Sequence, residues 1–314
     1  MFDLKPEPTD VKEEVLAGLS AREKRLSPKF FYNERGSRLF EAITALPEYY
    51  LTRTELAIFD AHMPSIARSV GPGSCLVEYG SGSSLKIRKV LEEVAPAAYV
   101  PVDISGDHLV SMAERLRSDF PALAIYPVCA DFTGAFELPA VVRSMPKVGF
   151  FPGSSIGNFD PAEAQALLTR IRTTVGEGGR LIIGVDLKKD VGVLEAAYDD
   201  TAGVTAAFNL NLLTHLAEVL NVDLDPARFS HRAVYNPEIG AVQMFLDVRE
   251  THEVVIDGAR IRFEAGESVH TENSFKYDPA DFLALAGRAG FARTGAWTDE
   301  RGWFGVFLLE ARRG

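Results

Sequence analysis

The sequence has little cysteine, and its histidines follow no metal-binding pattern. Only Cys75 and Cys129 occur among the 314 residues, each inside or beside an apolar stretch. Two such cysteines make neither a disulfide framework nor a metal cluster, so we predict two small buried side chains. The six histidines show no H-x-x-x-H or H-E-x-x-H spacing. We therefore predict no metal site.

Long hydrophobic runs and basic clusters are also missing. The chain has no run of about eighteen apolar residues that could cross a membrane, and residues 1–20 lack the apolar centre of a signal peptide. Lysine and arginine total 33 against 44 aspartates and glutamates, a net charge of −11. This field repels nucleic acid and anionic membranes. We expect a cytoplasmic, monomeric protein that binds a small molecule and neither nucleic acid nor a membrane.

The most informative feature that is present is a glycine-rich turn. The apolar run from Leu76 ends in Gly80-Ser81-Gly82, and an amphipathic helix pattern follows. Glycine at such a turn lets the backbone approach a ligand closely. Twenty-one residues beyond Gly82, Asp103 ends a second apolar segment, where a carboxylate can accept hydrogen bonds from two ribose hydroxyls.

The pattern favours a cofactor without phosphate groups. Leu85 stands where the dinucleotide-binding fingerprint has its third glycine, which disfavours pyrophosphate at the helix N-terminus. A Gly-x-Gly turn with a strand-end acid is typical of Rossmann-like methyltransferases that use S-adenosylmethionine. The alternative is a tight turn in another α/β protein. Lys86 either binds the cofactor carboxylate or is a solvated helix residue, and Asp131-Phe132 either holds the adenine or caps a helix.

Strand and helix patterns alternate along the chain, which predicts an α/β fold with a parallel sheet. Apolar strand patterns lie at 75–79, 99–104, 124–129, 148–151 and 181–185. The helix before the last of these begins at the Asp160-Pro161 cap. A helix over 279–289, followed by strands at 294–297 and 303–309, predicts a final antiparallel hairpin.

About ninety residues separate the fifth strand from this final part of the sheet. A helical stretch at 193–220 precedes strand patterns at 242–248, 253–256 and 260–264. The segment is too structured for a loop. We predict a Rossmann-like methyltransferase domain at 54–188 and 277–314, and a discontinuous α+β substrate-binding domain at 1–53 and 189–276. A ligand between two domains is expected, because pockets commonly form there.

Polar residues suited to an amino-acid ligand occur in three places. Asn158 follows the fourth strand, at the sheet edge where doubly wound folds bind ligands, or it caps a turn. Tyr49 and Tyr198 carry phenols that can donate to a carboxylate, although tyrosines are often core residues. Glu272 and Ser274 share one face of a strand-like stretch, which suits a ring with two nitrogens.

Longer motifs resemble the histidine-specific methyltransferases of ergothioneine biosynthesis over nearly all of the chain. They lie at 29–37, 46–55, 80–82, 153–158, 198–209 and 271–274. The resemblance implies transfer of three methyl groups from S-adenosylmethionine to the α-amino group of L-histidine, which gives hercynine. S-adenosylmethionine is then the co-substrate, and L-histidine and its methylated intermediates are the small-molecule partners.

The resemblance also implies residue roles. The cofactor-binding positions match Gly80, Lys86, Asp103, Asp131 and Phe132. Positions that contact the backbone groups of histidine match Tyr49, Asn158 and Tyr198, with Tyr32 and Gly153 in support. Those that hold the imidazole match Glu272 and Ser274, and Met244 lines the side-chain pocket.

The implied chemistry is an in-line displacement from a sulfonium to an amine. Such a reaction needs no metal, so positioning should dominate catalysis. The amine loses its proton to water or to a phenol such as Tyr32, and the sequence leaves both open. Two other functions also stay open: a non-catalytic sensor of the cofactor or of an amino acid, and methylation of a different amino acid.

Overall fold

The computed structural model describes residues 2–4, 8–70, 73–81 and 84–312. These residues form the strands β1 (Phe2–Leu4), β2 (Cys75–Tyr79), β3 (Ala98–Asp103), β4 (Ala124–Ile125), β5 (Val128–Ala130), β6 (Lys147–Phe151), β7 (Arg180–Asp186), β8 (Phe229–Asn236), β9 (Ala241–Val248), β10 (His252–Ile256), β11 (Ala259–Phe263), β12 (Ser268–Phe275), β13 (Phe291–Thr298) and β14 (Phe304–Ala311). The helices are α1 (Pro8–Ser20), α2 (Glu34–Thr44), α3 (Tyr50–Val70), α4 (Ser84–Val94), α5 (Gly106–Asp119), α6 (Pro161–Val175), α7 (Val191–Ala196), α8 (Val204–Leu220) and α9 (Pro279–Arg288).

The chain forms two compact units, each assembled from separate segments. The first, here the sheet unit, comprises Met1–Lys5, Leu51–Lys188 and Phe275–Gly314. The second, here the insert unit, comprises Pro6–Tyr50 and Lys189–Ser274. Among the described residues, no helix is both long enough and apolar enough to span a bilayer.

One mixed sheet organises the sheet unit. Its strand order is β1-β5-β3-β2-β6-β7-β14-β13, with β4 beside β3. The strands up to β7 pair in parallel, and β14 runs antiparallel to both β7 and β13. The predicted α/β fold and final hairpin are confirmed. The strand order reverses direction at β2, and ligands of open α/β sheets bind at such a switch point, beyond the carboxyl ends of the strands.

The start of α6 shows how local sequence sets these boundaries. The Asp160 side chain accepts hydrogen bonds from the backbone N–H groups of Ala162 and Glu163, and the Glu163 side chain accepts one from the Asp160 N–H. This capping box satisfies donors that the first helical turn leaves unpaired. The predicted cap at Asp160 is confirmed.

The insert unit has its own core. A three-stranded sheet, β12-β9-β8, accompanies the β10-β11 hairpin. The ring of Phe31, from the N-terminal segment, stacks on Phe208 of α8 with centroids 4.6 Å apart. Asn211 on α8 also donates to Asn33 Oδ1 across 2.9 Å. The N-terminal segment and the 189–274 segment therefore fold together.

Three predictions about the elements are wrong in detail. The helix predicted over 193–220 is interrupted between α7 and α8, because Asp200 caps the N–H groups of Val204 and Thr205 and begins a new helix there. The strand predicted over 124–129 is split into β4 and β5. Residues 2–4, predicted within the substrate domain, instead pair as β1 with β5 of the sheet unit. The units change after Lys5, Tyr50, Lys188 and Ser274, whereas the predicted domains change after Arg53, Lys188 and Lys276.

Candidate functional site

The turn after β2 has a backbone conformation that favours glycine. Gly80 has φ +76°, in the left-handed region where a side chain is strained. A Cβ there would lie 3.7 Å from the Phe132 ring, so Gly80 and Phe132 lie side by side. The Phe132 ring packs edge-to-face against Phe151, with centroids 5.8 Å apart. Gly82 lies outside the described residues.

Two aspartates stand at the same edge of the sheet. Asp103 ends β3, and its Oδ1 accepts a hydrogen bond from the Ser105 N–H at 2.8 Å. Asp131 follows β5, and its Oδ1 accepts from the N–H and the hydroxyl of Thr133 at 2.9 and 2.6 Å. Because β3 and β5 are parallel neighbours, both carboxylates lie at their carboxyl ends. In each carboxylate the hydrogen bonds to Oδ1 are local, and they fix the orientation of the side chain.

A buried acid and phenol lie beneath this edge. Tyr99 of β3 donates a hydrogen bond to Glu78 of β2, two residues before Gly80. Burial raises the pKa of Glu78 to about 8, against the opposing effect of the Tyr99 hydrogen bond. Burial also raises the pKa of Tyr99, and the charge of Glu78 adds to that rise. The sequence analysis missed this pair, although a glutamate inside an apolar strand is a visible signal.

Lys86 is paired within the sheet unit. Its Nζ lies 2.6 Å from Glu55 Oε2, and both side chains are buried. The Gly153 N–H donates to the same carboxylate, at 2.9 Å from Oε2 and 3.1 Å from Oε1. The interpretation of Lys86 as a solvated helix residue is therefore wrong. Glu55 brings Lys86 and the turn after β6 together.

The turn that carries Asn158 is held at several points. Gly153 and Ser154 both have positive φ, +77° and +62°. The hydroxyl of Ser154 accepts a hydrogen bond from the Asp186 N–H at 2.8 Å. Residues Ser155–Asn158 form a 3-10 turn. Asn158 therefore belongs to a turn with defined geometry at the carboxyl end of β6.

Gly157→Ala is expected to destabilise this turn. A Cβ on Gly157 would lie 2.7 Å from the carbonyl oxygen of Phe275, a backbone atom that cannot swing away. Overpacking of this kind costs about 1–3 kcal/mol. Urea unfolding of the variant measures the loss, and Gly287→Ala, where a Cβ meets nothing within 4 Å, is the control. Equal free energies of unfolding for the two variants would contradict the tight contact.

Phenols and a serine meet in the insert unit. The hydroxyls of Tyr198 and Ser274 lie 2.7 Å apart, and both residues are buried. The Tyr49 and Tyr198 rings have centroids 6.4 Å apart, in an edge-to-face arrangement. Tyr32 packs edge-to-face on Phe40, which in turn contacts Tyr49. The three tyrosines predicted from sequence thus belong to one aromatic cluster.

An irregularity in β12 directs Glu272 inward. Gln243 of β9 contacts Asn273 of β12, and Phe245 of β9 contacts His270 of β12. The two residues on β9 are two positions apart, whereas their partners on β12 are three positions apart. The extra residue indicates a β-bulge at 271–272, and bulges re-aim side chains next to sites. Consecutive Thr271 and Glu272 are accordingly both buried.

The bulge has a side-chain bond of its own. The Thr271 hydroxyl donates to the carbonyl oxygen of Met244 at 3.1 Å, which ties this part of β12 to β9. Met244 is 2% exposed and Glu272 is 7% exposed. Neighbouring strands therefore bring Glu272, Ser274 and Met244, all buried, into one part of the insert unit.

A histidine that the sequence analysis did not select holds the backbone of Tyr198. The Asn209 amide donates to the Phe245 carbonyl at 3.1 Å and to His231 Nδ1 at 2.8 Å. The Phe245 carbonyl can only accept, so the Asn209 atom that faces it is the amide nitrogen. The same nitrogen faces His231, and Nδ1 of the ring must therefore be the acceptor. The proton is then on Nε2, which donates to the Tyr198 carbonyl at 2.8 Å. The sequence feature that could have indicated these hydrogen bonds is Asn209, a polar residue inside the apolar helix α8.

Acid should destabilise the fold through His231. Burial lowers the pKa of His231 below 6.5, although the Tyr198 carbonyl and the nearby Asp199, Asp200 and Asp247 oppose this shift. Since the unfolded chain binds the proton more readily, the stability present above pH 6.5 is lost as the pH falls below it. Urea unfolding between pH 8 and pH 5 measures this loss. The loss should be smaller in His231→Gln, and an equal loss in both proteins would exclude His231 as its source.

The predicted cofactor residues all lie in the sheet unit, whereas the predicted substrate residues are divided between the units. Asn158 and Gly153 belong to the sheet unit, and the insert unit contains Tyr32, Tyr49, Tyr198, Met244, Glu272 and Ser274. In the sheet unit, Gly80 lies beside Phe132, Asp103 and Asp131 share an edge, and Lys86 meets Gly153 through Glu55. Glu55 was missed because no local pattern marks it. Within the described residues, no group of three or more His, Cys, Asp or Glu is placed to hold a metal.

Comparisons with known proteins agree on one family. The model of the family described as "Histidine-specific methyltransferase, SAM-dependent" matches residues 11–311. The chain is 38% identical to a histidine N-alpha-methyltransferase of Mycolicibacterium smegmatis, over 95% of this chain and 94% of that protein. It is 36% identical to a histidine N-alpha-methyltransferase of Mycobacterium tuberculosis, with the same coverage of 95% and 94%. It is 30% identical to ergothioneine biosynthesis protein 1 of Neurospora crassa, over 92% of this chain and 33% of that protein.

Proposed function

Because the chain belongs to the family of histidine-specific, S-adenosylmethionine-dependent methyltransferases, we propose that it methylates the α-amino group of L-histidine three times. The product is hercynine, and the reaction is a step of ergothioneine biosynthesis. The observation that carries the proposal is the nearly full-length match to two histidine N-alpha-methyltransferases. The arrangement of Tyr198, Ser274 and Glu272 supports it, because these side chains suit a histidine.

The residues of the sheet unit fit the cofactor. Gly80 leaves open the space beside Phe132 that a Cβ would fill, and no third glycine prepares the helix for a pyrophosphate. We propose that Asp103 accepts the ribose hydroxyls, that Asp131 and Phe132 hold the adenine, and that Lys86 binds the carboxylate. When bound, S-adenosylmethionine supplies an electrophilic methyl group on a sulfonium.

For the amino acid, we propose that Tyr49, Asn158 and Tyr198 contact its backbone groups, supported by Tyr32 and Gly153. Glu272 accepts a hydrogen bond from one imidazole N–H, and Ser274 serves the other nitrogen. In an in-line displacement, holding the amine in line with the methyl group is the main contribution that these residues would make to the rate.

The α-amino group must lose one proton before each of the three methyl transfers. The histidine ammonium loses one proton before its lone pair attacks the methyl carbon, and the C–S bonding pair stays on sulfur. The methylated ammonium loses a proton before the second and again before the third attack, and the quaternary product then has none left. Tyr32 and solvent water are the candidate acceptors.

A product assay tests the proposal. Purified protein is incubated with each of the twenty amino acids and with S-adenosylmethionine labelled with ¹³C in its methyl group, and products are identified by mass spectrometry. Histidine should gain three labelled methyl groups while S-adenosylhomocysteine accumulates. Binding of both ligands without S-adenosylhomocysteine would indicate a sensor. A labelled product from another amino acid instead of histidine would indicate the alternative substrate.

We also propose that the protein acts as a cytoplasmic monomer on free histidine. Both substrates are small metabolites, and the net charge of −11 disfavours a nucleic-acid partner. Size-exclusion chromatography with light scattering tests the oligomeric state, with the mass of one chain as the expected result.

A further inference from the structure

Glu55 is a buried carboxylate for which the reaction has no direct use. It lies on α3, it is 0% exposed, and its partners are the Lys86 ammonium and the Gly153 N–H. We propose that Glu55 is a positioning residue that sets Lys86 and the Gly153 turn in the arrangement that binds the cofactor. This inference rests on the proposed function, because Lys86 is there the partner of the cofactor carboxylate.

A carboxylate is the side chain that this position requires. Both partners of Glu55 are donors, and an ionised carboxylate accepts at both oxygens. Oε2 accepts from Lys86 Nζ at 2.6 Å and from the Gly153 N–H at 2.9 Å, while Oε1 lies 3.1 Å from the same N–H. A glutamine amide would turn its N–H₂ toward one of these donors. It would also leave the buried ammonium without a compensating charge, which is costly.

The surrounding backbone is shaped around this carboxylate. Gly184 lies inside β7, and a Cβ there would collide with Glu55 Oε1. Gly153, with φ +77°, would place a Cβ 3.3 Å from Lys86 Nζ. Glycine inside a strand weakens it and often marks the close approach of another group. Two glycines at these positions make room for the Glu55–Lys86 pair.

Stability alone does not explain the pair. Replacing a buried ion pair with apolar residues is often neutral or stabilising, so burial of two charges is weak evidence for a structural role. The pair instead joins two elements that the proposed function uses, α4 with Lys86 and the turn that leads to Asn158. A cofactor carboxylate then meets an ammonium whose position is already fixed.

A double-mutant cycle tests the proposal. Binding of S-adenosylhomocysteine is measured by calorimetry in wild type, Glu55→Gln, Lys86→Met and the double variant. Glu55→Gln should raise Kd about tenfold or more, since a charged hydrogen-bonding pair is disrupted. In the Lys86→Met background the same change should have an effect of less than about threefold, because the residue through which Glu55 acts is gone. In turnover, the KM for S-adenosylmethionine should rise more than the KM for histidine.

The matched control uses the same two helices. Asp60 on α3 and Lys89 on α4 form an exposed ion pair. Asp60→Asn removes that pair and should leave Kd within about twofold of wild type, because exposed pairs contribute little. Should Glu55→Gln fail to fold, the double variant, which removes both buried charges, is compared with Lys86→Met alone, and a tenfold difference between these two contradicts the proposal.

The outcomes separate the two claims. If wild type binds S-adenosylhomocysteine and Glu55→Gln binds it equally well, Glu55 is not a positioning residue, while the proposed function stands. If Glu55→Gln weakens binding to the same degree with and without Lys86, the effect is structural and the inference is wrong. If wild type does not bind this ligand, the proposed function fails, and the inference fails with it.

Discussion

Glu272→Ala should lose most of the turnover of histidine. Glu272 is 7% exposed and lies on β12 next to the bulge, where its carboxylate is the acceptor for an imidazole N–H in the proposed complex. Removing one partner of a buried hydrogen bond to a charged group costs about 1.5–3 kcal/mol, and more where the other partner is left unpaired. We expect kcat/KM for histidine to fall about 100-fold.

Two further variants test whether this loss of turnover is due to the Glu272 carboxylate. Glu272→Gln keeps an acceptor without the charge, so its kcat/KM should lie between wild type and Glu272→Ala. Glu264→Ala removes an exposed carboxylate of the same unit, paired with Arg262, and should leave kcat/KM unchanged. If Glu272→Ala methylates histidine as well as wild type, the imidazole is recognised by other residues. The proposed substrate then loses its main physical support.

Local signals made the sheet unit predictable from sequence. Each buried parallel strand is a short apolar run, and the turns between strands and helices have glycine, aspartate or proline at the ends. The Asp160 cap and the final hairpin were found in this way, and β2 and β7 lie within one residue of their predicted bounds. The position of Asp103 and Asp131 at one edge of the sheet could also be predicted, because parallel strands end on the same side.

The features that sequence could not supply depend on contacts between distant residues. The bulge in β12 is visible only when β9 is beside it, since nothing in Thr271-Glu272-Asn273 marks an extra residue. The contact between Glu55 and Gly153 spans 98 positions. The break before α8 is different, because Asp199-Asp200-Thr201 and Gly203 are turn-forming residues that did signal it in the sequence. It was missed because the Asp200 cap reads equally well as a helix-surface acid.

The two units support their candidate binding residues in different ways. In the sheet unit, backbone turns and strand ends fix the side chains, as the Asx-type bonds of Asp103 and Asp131 show. In the insert unit, side chains hold other side chains, as in the chain from Asn209 through His231 to the Tyr198 carbonyl. Specificity for the amino acid should therefore be more sensitive to distant substitutions than cofactor affinity is.

Asp103→Ala should weaken cofactor binding more than it weakens the fold. In the proposed complex the carboxylate accepts hydrogen bonds from both ribose hydroxyls, and the loss of a charge-assisted pair costs about 1.5–3 kcal/mol. That range corresponds to an increase in Kd of about 10- to 150-fold. Calorimetry with S-adenosylhomocysteine measures the affinity, and urea unfolding measures the stability of the same preparation.

Asp103→Asn separates the two roles of this carboxylate. The asparagine oxygen can still accept from the Ser105 N–H, as Oδ1 does at 2.8 Å, so the start of α5 should keep its stability. The amide has lost the charge and one acceptor, and the ribose hydroxyls can no longer both donate to it. We therefore expect wild-type unfolding together with weakened binding of S-adenosylhomocysteine. If Asp103→Asn instead binds as tightly as wild type, Asp103 only shapes the turn before α5, and the ribose must be held by other residues at the end of β3.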